Sequence, residues 1–177
     1  VLFAGPAVPA PAFADDLPRP AVLARFGVGY DTVDLDACTA RGVAVTITPD
    51  GARRPVATAT LAMLLAVLHN LVAKDRLVRE HKWAERTNLM STGLNGLTIG
   101  LVGVGNTGGE FVRLLAPFDV TIIGNDPFCP PERAAELGVR LVGRDELAAT
   151  ADAVVIMAAL THDTFHAVDA AFLAAMK

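Results

Sequence analysis

The sequence is poor in charged residues, and the basic residues that it has form no cluster. Charged residues make up 19% of the 177 residues, the fifteen lysines and arginines are scattered, and the formal net charge is −4. A protein that binds nucleic acid by neutralising phosphates needs a basic patch or stripe. We therefore expect no nucleic-acid partner.

Cysteines and long apolar runs are also scarce. Cys38 and Cys129 lie far apart and belong to no CxxC motif or Cys/His cluster, so neither a metal site nor a disulfide framework is indicated. No apolar run is longer than the eight residues of Leu61 to Leu68, which is far too short to span a bilayer. The proline-rich start lacks the basic beginning and unbroken apolar core of a signal peptide. These absences predict a cytoplasmic protein with no membrane partner.

The first third of the chain predicts a small βαβ unit. Hydrophobic residues make up 53% of the sequence, which suits a buried parallel sheet covered by helices. Residues 1–20 are rich in Pro and Ala and predict a loop. The pattern then predicts a strand over 21–26, a helix over 35–41 with Asp34 as its N-cap, and a strand over 43–47.

A single long helix is predicted from Pro55 to about Trp83. Its segment Leu61–Leu68 is apolar on every face, and a helix of this kind must be buried on every face. We therefore expect this segment to pack between two domains or at a dimer contact. Residues 84–96 predict a surface connection.

The second half of the chain alternates between strands and helices. Strands are predicted over 98–102, 120–125, 140–142 and 153–157, and helical segments over 105–115, 131–137 and 146–150. This alternation, with apolar strands rich in Val and Ile, predicts an α/β fold with a doubly wound parallel sheet. Four strands form only part of such a nucleotide-binding domain.

A dinucleotide-binding fingerprint follows the first of these strands. Gly103, Gly105 and Gly108 form a GxGxxG motif that opens a helix, and Asp126 ends the next strand about twenty residues further on. The helix N-terminus is suited to a pyrophosphate, and the carboxylate is suited to the adenosine ribose hydroxyls. The alternative is that the glycines only form a turn and that Asp126 caps the following helix. Residues 127–132 contain no Arg or Lys for a 2′-phosphate, so NAD is expected over NADP.

The sequence resembles the D-isomer-specific 2-hydroxyacid dehydrogenases over residues 21–177. The resemblance lies in motifs that occur in the family's order together with the fingerprint, namely Arg25–Asp31, Val33–Asp36, Arg41–Thr46, Val56–Thr60 and Trp83. It implies a Rossmann-like NAD-binding domain over 97–177, an interdomain helix and connection over 55–96, and the remnant of a flavodoxin-like substrate domain over 1–54. It also implies a small 2-hydroxy or 2-oxo acid substrate. The apolar segment Leu61–Leu68 leads us to expect a homodimer for the full-length protein.

The resemblance assigns roles to matching residues. The turn of Val28 and Gly29 would offer backbone amides to the substrate carboxylate, and Thr60 would contact the cofactor. The amides of Asn106 and Thr107 would meet the pyrophosphate, although Arg or Asn followed by Ile is commoner there. Further cofactor contacts would come from the loop after the last strand, at Ala158, Ala159 and Thr164. A proline is usual where this chain has Ala159.

No catalytic residue is assigned, because the family's catalytic Arg, Glu and His lie after the segment that ends here at Lys177. We expect a fragment that is inactive alone, in keeping with a start at Val1. The four histidines are interpreted as surface or packing residues, and Arg53 and Arg54 as a solvated loop pair that could otherwise steer an anionic substrate. Two other functions stay open, a non-catalytic NAD-binding regulator similar to corepressors of this family and a degenerate remnant.

Overall fold

The computed structural model describes residues 2–3 and 22–177, and the chain divides into two compact units. The first unit contains the chain up to Arg53 together with Ala159–Ala167. The second contains Arg54–Ala158 and Val168–Lys177. Each unit has its own parallel sheet. The domain limits expected from the sequence, at residues 54 and 96, stay a prediction.

In the residues that the structure describes, the first unit has a three-stranded parallel sheet and one helix. Its strands pair in the order β1-β2-β3. Asp34 caps the helix as predicted, because its Oδ1 accepts the Ala37 N–H at 2.8 Å. A small core of this unit contains Leu23, Val33, Cys38 and Val43. The elements are β1 (Leu2–Phe3), β2 (Val22–Arg25), α1 (Leu35–Ala40) and β3 (Ala44–Thr46).

The loop predicted over residues 1–20 is wrong at β1. Leu2 and Phe3 pair with Ala24 and Arg25, and this ladder outweighs the loop-forming composition around it. Residue 1 and residues 4–21, where the rest of that predicted loop falls, lie outside the described residues.

The single long helix predicted from Pro55 is also wrong. The structure has two helices, α2 (Arg53–Leu68) and α3 (Leu71–Arg79), with a bend of 62° between them. Asn70 stands at the bend with a left-handed φ of 53°, a conformation that asparagine adopts more readily than most residues. Its Nδ2 donates to the Met90 carbonyl at 2.8 Å, which holds the break in place. A 3₁₀ segment, Trp83–Asn88, follows α3.

Within this chain α2 is covered on one side only, so the expected burial of Leu61–Leu68 between two domains or at a dimer contact stays a prediction. Leu64 is 8% exposed and Ala57 is fully buried in the core of the second unit. Met63 and Val67 on the other side are 61% and 74% exposed. Among the described residues no single helix could cross a membrane, and only α2 and α3 taken together reach the necessary length and composition.

The second unit is a four-stranded parallel sheet in the order β6-β5-β4-β7. Its strands are β4 (Thr98–Val102), β5 (Thr121–Asn125), β6 (Arg140–Leu141) and β7 (Ala153–Ile156). Its remaining helices are α4 (Asn106–Leu115), α5 (Pro131–Leu137), α6 (Arg144–Thr150) and α7 (Ala170–Ala175), with a 3₁₀ turn at Ala116–Phe118. The helix α7 ends at Ala175, and its C-cap residue Met176 has an extended backbone.

Side chains alternate across this sheet and enter two cores. Ile99 and Leu101 of β4 belong to a core that contains Phe111 of α4, whereas Val102 belongs to a core with Leu147 of α6 and Phe172 of α7. The period of two along a strand sends successive residues to opposite faces, so helices cover both sides. The predicted α/β doubly wound parallel fold is confirmed.

Candidate functional site

The site lies where the strand order of the second unit reverses. The chain runs from β4 to β5 and β6 on one side and then returns to β7 on the other side of β4. In open parallel sheets the connections after two such neighbouring strands leave in opposite directions, and this opens a crevice at their carboxyl ends. The Gly103–Gly108 turn follows β4 directly and Ala158 follows β7, so both border this position.

The three fingerprint glycines serve two purposes. Gly103 has a φ of +96°, and a Cβ there would lie 2.6 Å from the Ala158 backbone nitrogen. A Cβ on Gly108 would lie 2.6 Å from the Gly103 carbonyl oxygen. A Cβ on Gly105 would instead meet nothing within 4 Å. Gly103 and Gly108 are therefore required by packing, whereas Gly105 faces the space that a ligand can approach.

The N-terminus of α4 is suited to a phosphate. Gly105 is its N-cap residue and no side chain caps the helix, so the first amides are not used by a capping group. Asn106 is exposed and Thr107 half-buried in its first turn. The partial positive charge of a helix N-terminus and the open face at Gly105 fit the pyrophosphate of a dinucleotide.

Asp126 lies beside this turn and holds it. Its Oδ2 accepts the Val104 N–H at 2.8 Å, and its Oδ1 accepts the Phe128 N–H at 2.9 Å. The helix α5 has Pro130 as its N-cap and no side-chain cap, so Asp126 does not cap it. An ionised carboxylate has about four lone-pair positions, which leaves acceptor capacity for ribose hydroxyls.

Arg133 of α5 is a residue that the sequence reasoning missed. Its Nη2 donates to the Gly105 carbonyl oxygen at 3.3 Å and lies 3.5 Å from Asn106 Oδ1. Arg133 directly follows residues 127–132, whose lack of Arg and Lys is the basis for expecting NAD over NADP. Only the packing of α5 beside α4 brings this guanidinium to the turn.

Cys129 is buried near the two charged groups just described. Burial raises the pKa of its thiol, the negative charge of Asp126 raises that pKa further, and the positive charge of Arg133 lowers it. The thiol is therefore protonated at neutral pH and acts as a packing residue.

Two further predicted cofactor residues lie in the second unit. Thr60 lines a groove of about 440 Å³ with Ile156 at the carboxyl end of β7, and its hydroxyl donates to the Val56 carbonyl at 2.9 Å. Ala158 is half-buried and approaches Gly103.

The other predicted site residues lie in the first unit. The N–H groups of Val28 and Gly29 have no hydrogen-bond partner within the part of the chain that the structure describes. Arg25 Nε donates to the Gly29 carbonyl at 2.8 Å and fixes the turn. In the loop after β7, the Thr164 hydroxyl donates to the Ala159 carbonyl at 2.6 Å, so that loop closes on itself.

The arginine pair near the start of α2 forms ion pairs within the chain. Arg53 pairs with Asp50 at 3.2 Å, and Arg54 pairs at 3.2 Å with Glu110, which is only 8% exposed. Both arginines belong to α2, which corrects their interpretation as a loop pair. A buried carboxylate needs a cation, and Glu110 also pairs with Arg113 of its own helix at 3.4 Å, so Arg54 adds a second cation and links α2 to α4.

The histidines are exposed, as expected for surface residues, but none lies within a helix. His69 and His81 follow the ends of α2 and α3, which corrects their placement on one long helix. His162 lies 3.5 Å from the exposed Asp163 carboxylate.

Comparison with known proteins shows what the chain resembles. Residues 61–177, more than half of the chain, match the family described as D-isomer specific 2-hydroxyacid dehydrogenase, NAD binding domain. The D-3-phosphoglycerate dehydrogenase of Mycobacterium tuberculosis is 38% identical over 160 residues, covering 90% of this chain and 30% of that protein. The glyoxylate reductase of Thermococcus onnurineus is 35% identical over 169 residues, covering 92% of this chain and 51% of that protein.

One solved structure is similar to this chain in fold and in sequence. A Granulicella formate dehydrogenase superposes with a TM-score of 0.81 at 28% identity and covers 88% of this chain and 42% of that one. The chain spans about a third to a half of the length of the curated relatives named above. The matched region is an NAD-binding domain, which confirms NAD as the cofactor. The chain therefore belongs to the D-isomer specific 2-hydroxyacid dehydrogenase family and contains its NAD-binding domain.

Proposed function

We propose that this chain is the NAD-binding part of an oxidoreductase that transfers a hydride between NAD and the CH–OH carbon of a D-2-hydroxy acid. The observation that carries the proposal is the turn after β4, where Gly105 faces open space beside an uncapped helix N-terminus. Asp126 stands next to it with acceptor capacity left. The names of the relatives, a D-3-phosphoglycerate dehydrogenase and a glyoxylate reductase, support the substrate class.

Each part of the site has a task in this proposal. NAD, when bound, supplies the hydride acceptor, and this chain's residues hold its adenosine and diphosphate end. Asp126 accepts the ribose hydroxyls, the amides of Asn106 and Thr107 bind the pyrophosphate, and Thr60 and Ala158 border the same crevice. In the first unit, the amides of Val28 and Gly29, which have no partner among the described residues, bind the substrate carboxylate. Residues 1–54 belong to the substrate domain and residues 97–177 to the NAD-binding domain.

Isothermal titration of the 177-residue chain with NAD tests the proposal directly. We expect saturable binding with one site per chain, and a weaker affinity for NADP because the Asp126 carboxylate repels a 2′-phosphate. We also propose a cytoplasmic protein that forms a homodimer through the exposed side of α2. Absence of NAD binding by a folded chain would overturn the function.

The chain is expected to bind NAD without turning over substrate. General acid/base assistance contributes about 10²–10⁴-fold to such a reaction, and it requires a positioned proton donor. Among residues 22–177, the only histidine within 4 Å of a carboxylate is the exposed His162. We would follow NADH absorbance with glyoxylate, hydroxypyruvate and pyruvate, with a full-length relative as the positive control. Turnover that His162→Ala abolishes would contradict this prediction.

Replacing Asp126 is expected to weaken both NAD binding and folding. Asp126→Ala removes the ribose acceptor and leaves the Val104 and Phe128 amides without their partner. We expect a loss of about 1–3 kcal/mol in the free energy of NAD binding and a similar loss in the free energy of unfolding. Asp126→Asn keeps one oxygen acceptor and should lose less stability than Asp126→Ala. Urea unfolding and titration with NAD measure the two losses separately. An Asp126→Ala chain as stable as the parent would show that these backbone contacts do not matter.

A further inference from the structure

Arg133 presents an uncompensated positive charge at the turn between β4 and α4. Its Nη2 donates to the Gly105 carbonyl and lies within 3.5 Å of Asn106 Oδ1, and both of these acceptors are neutral. Within the described part of the chain, no carboxylate lies within ion-pair distance of this guanidinium. Arg133 is half-buried, so its charge is less screened than that of a fully exposed arginine.

The turn otherwise lacks a cation for the ligand that it would bind. A pyrophosphate diester bears two negative charges, and a helix N-terminus supplies the equivalent of about half a positive charge. The first turn of α4 contains Asn106, Thr107, Gly108 and Gly109, none of which is basic. A guanidinium has five N–H donors in a planar fork, and the contacts to Gly105 and Asn106 use only the Nη2 end. Donors remain for a phosphate oxygen.

We propose that Arg133 is a phosphate-binding residue of the dinucleotide site, and that it donates a charge-assisted hydrogen bond to the pyrophosphate of NAD. The contact with the Gly105 carbonyl orients the guanidinium beside the open face of the turn. The inference rests on the proposed NAD site and deepens it by adding a residue from α5.

The same chemistry could serve a second phosphate, the 2′-phosphate of NADP. The geometry favours the pyrophosphate because both acceptors of Arg133 belong to the turn, at Gly105 and Asn106. Asp126, which is proposed to accept the ribose hydroxyls, contacts Val104 and Phe128, and Arg133 makes no hydrogen bond with it.

Arg133→Gln tests the proposal, with Arg140→Gln as the matched control. Arg140 pairs with Glu146 on the surface, so this control also removes one positive charge but leaves the turn intact. Binding of NAD and NADP would be measured by isothermal titration at low salt, and binding of adenosine by NMR titration to millimolar concentration. We expect Arg133→Gln to bind NAD and NADP each about tenfold more weakly and with less dependence on salt. Adenosine binding, the melting temperature and the Arg140→Gln variant should not change.

Each other outcome overturns the proposal and identifies why. Unchanged NAD affinity in Arg133→Gln excludes a phosphate contact. A loss confined to NADP assigns the residue to the 2′-phosphate instead. A parallel loss for adenosine together with a lower melting temperature shows a structural role. If the parent chain binds adenosine but neither dinucleotide, the proposed function fails with it, whereas normal NAD binding by the variant leaves that function intact.

Discussion

Replacing Gly105 with alanine is expected to abolish measurable NAD binding while leaving the fold almost unchanged. The added Cβ would meet no protein atom within 4 Å, so it creates no clash in the unliganded chain. Gly105 has a negative φ of −67°, which alanine adopts readily, and loss of glycine at an N-cap costs less than about 1 kcal/mol. The methyl group would occupy the space through which the backbone must approach the pyrophosphate.

Gly108→Ala is the matched control, and it should give the opposite pattern. Its Cβ would lie 2.6 Å from the Gly103 carbonyl oxygen, and backbone atoms at both ends must then shift. Overpacking of this kind costs about 1–3 kcal/mol, which lowers the melting temperature by several degrees. Titration with NAD and differential scanning calorimetry would be applied to both variants. If Gly105→Ala binds NAD like the parent, the dinucleotide does not approach at this glycine.

Leu64→Lys is expected to unfold the second unit, and Val67→Lys is not. Leu64 is 8% exposed within the core that contains Ile99 and Phe111, so lysine there loses apolar contacts and buries a charge. The combined cost is at least about 3 kcal/mol, a large part of the stability of a small domain. Val67 on the same helix is 74% exposed, so Val67→Lys should lower the free energy of unfolding of the monomer by less than about 0.5 kcal/mol. Urea unfolding followed by circular dichroism measures the difference.

The same pair of variants tests the proposed dimer contact. Leu64 belongs to the chain's own core, so its replacement reports on folding and not on association. Met63, Val67, Leu71 and Val72 form the exposed apolar side of the bend between α2 and α3, and a partner that covers this side would be repelled by a lysine at Val67. Analytical ultracentrifugation should show a dimer for the parent and a monomer for Val67→Lys. An unchanged sedimentation coefficient would place any dimer contact elsewhere.

The sequence predicted features that depend on neighbouring residues and missed features that depend on contacts between distant residues. The strand and helix alternation from Thr98 to Ile156 and the Asp34 cap were predicted because they depend on neighbours within a few residues. The break at Asn70 was missed, since its left-handed backbone is held by a contact with Met90, twenty positions along the chain. The expected burial of Leu61–Leu68 on every face stays a prediction, because hydrophobicity indicates which side chains avoid water but not which partners are present to cover them.

By itself, the sequence determined the position of the dinucleotide turn and the carboxylate that accompanies it. A tight turn after a strand requires glycine at fixed spacing, and this requirement is visible in a single chain at Gly103, Gly105 and Gly108. Only the tertiary structure decided that Gly105, alone among these three glycines, faces open space. It also decided that Arg54 pairs with Glu110 and that Arg133 reaches the turn. These contacts join residues between 28 and 56 positions apart, and long side chains meet across such separations only after helices pack on the sheet.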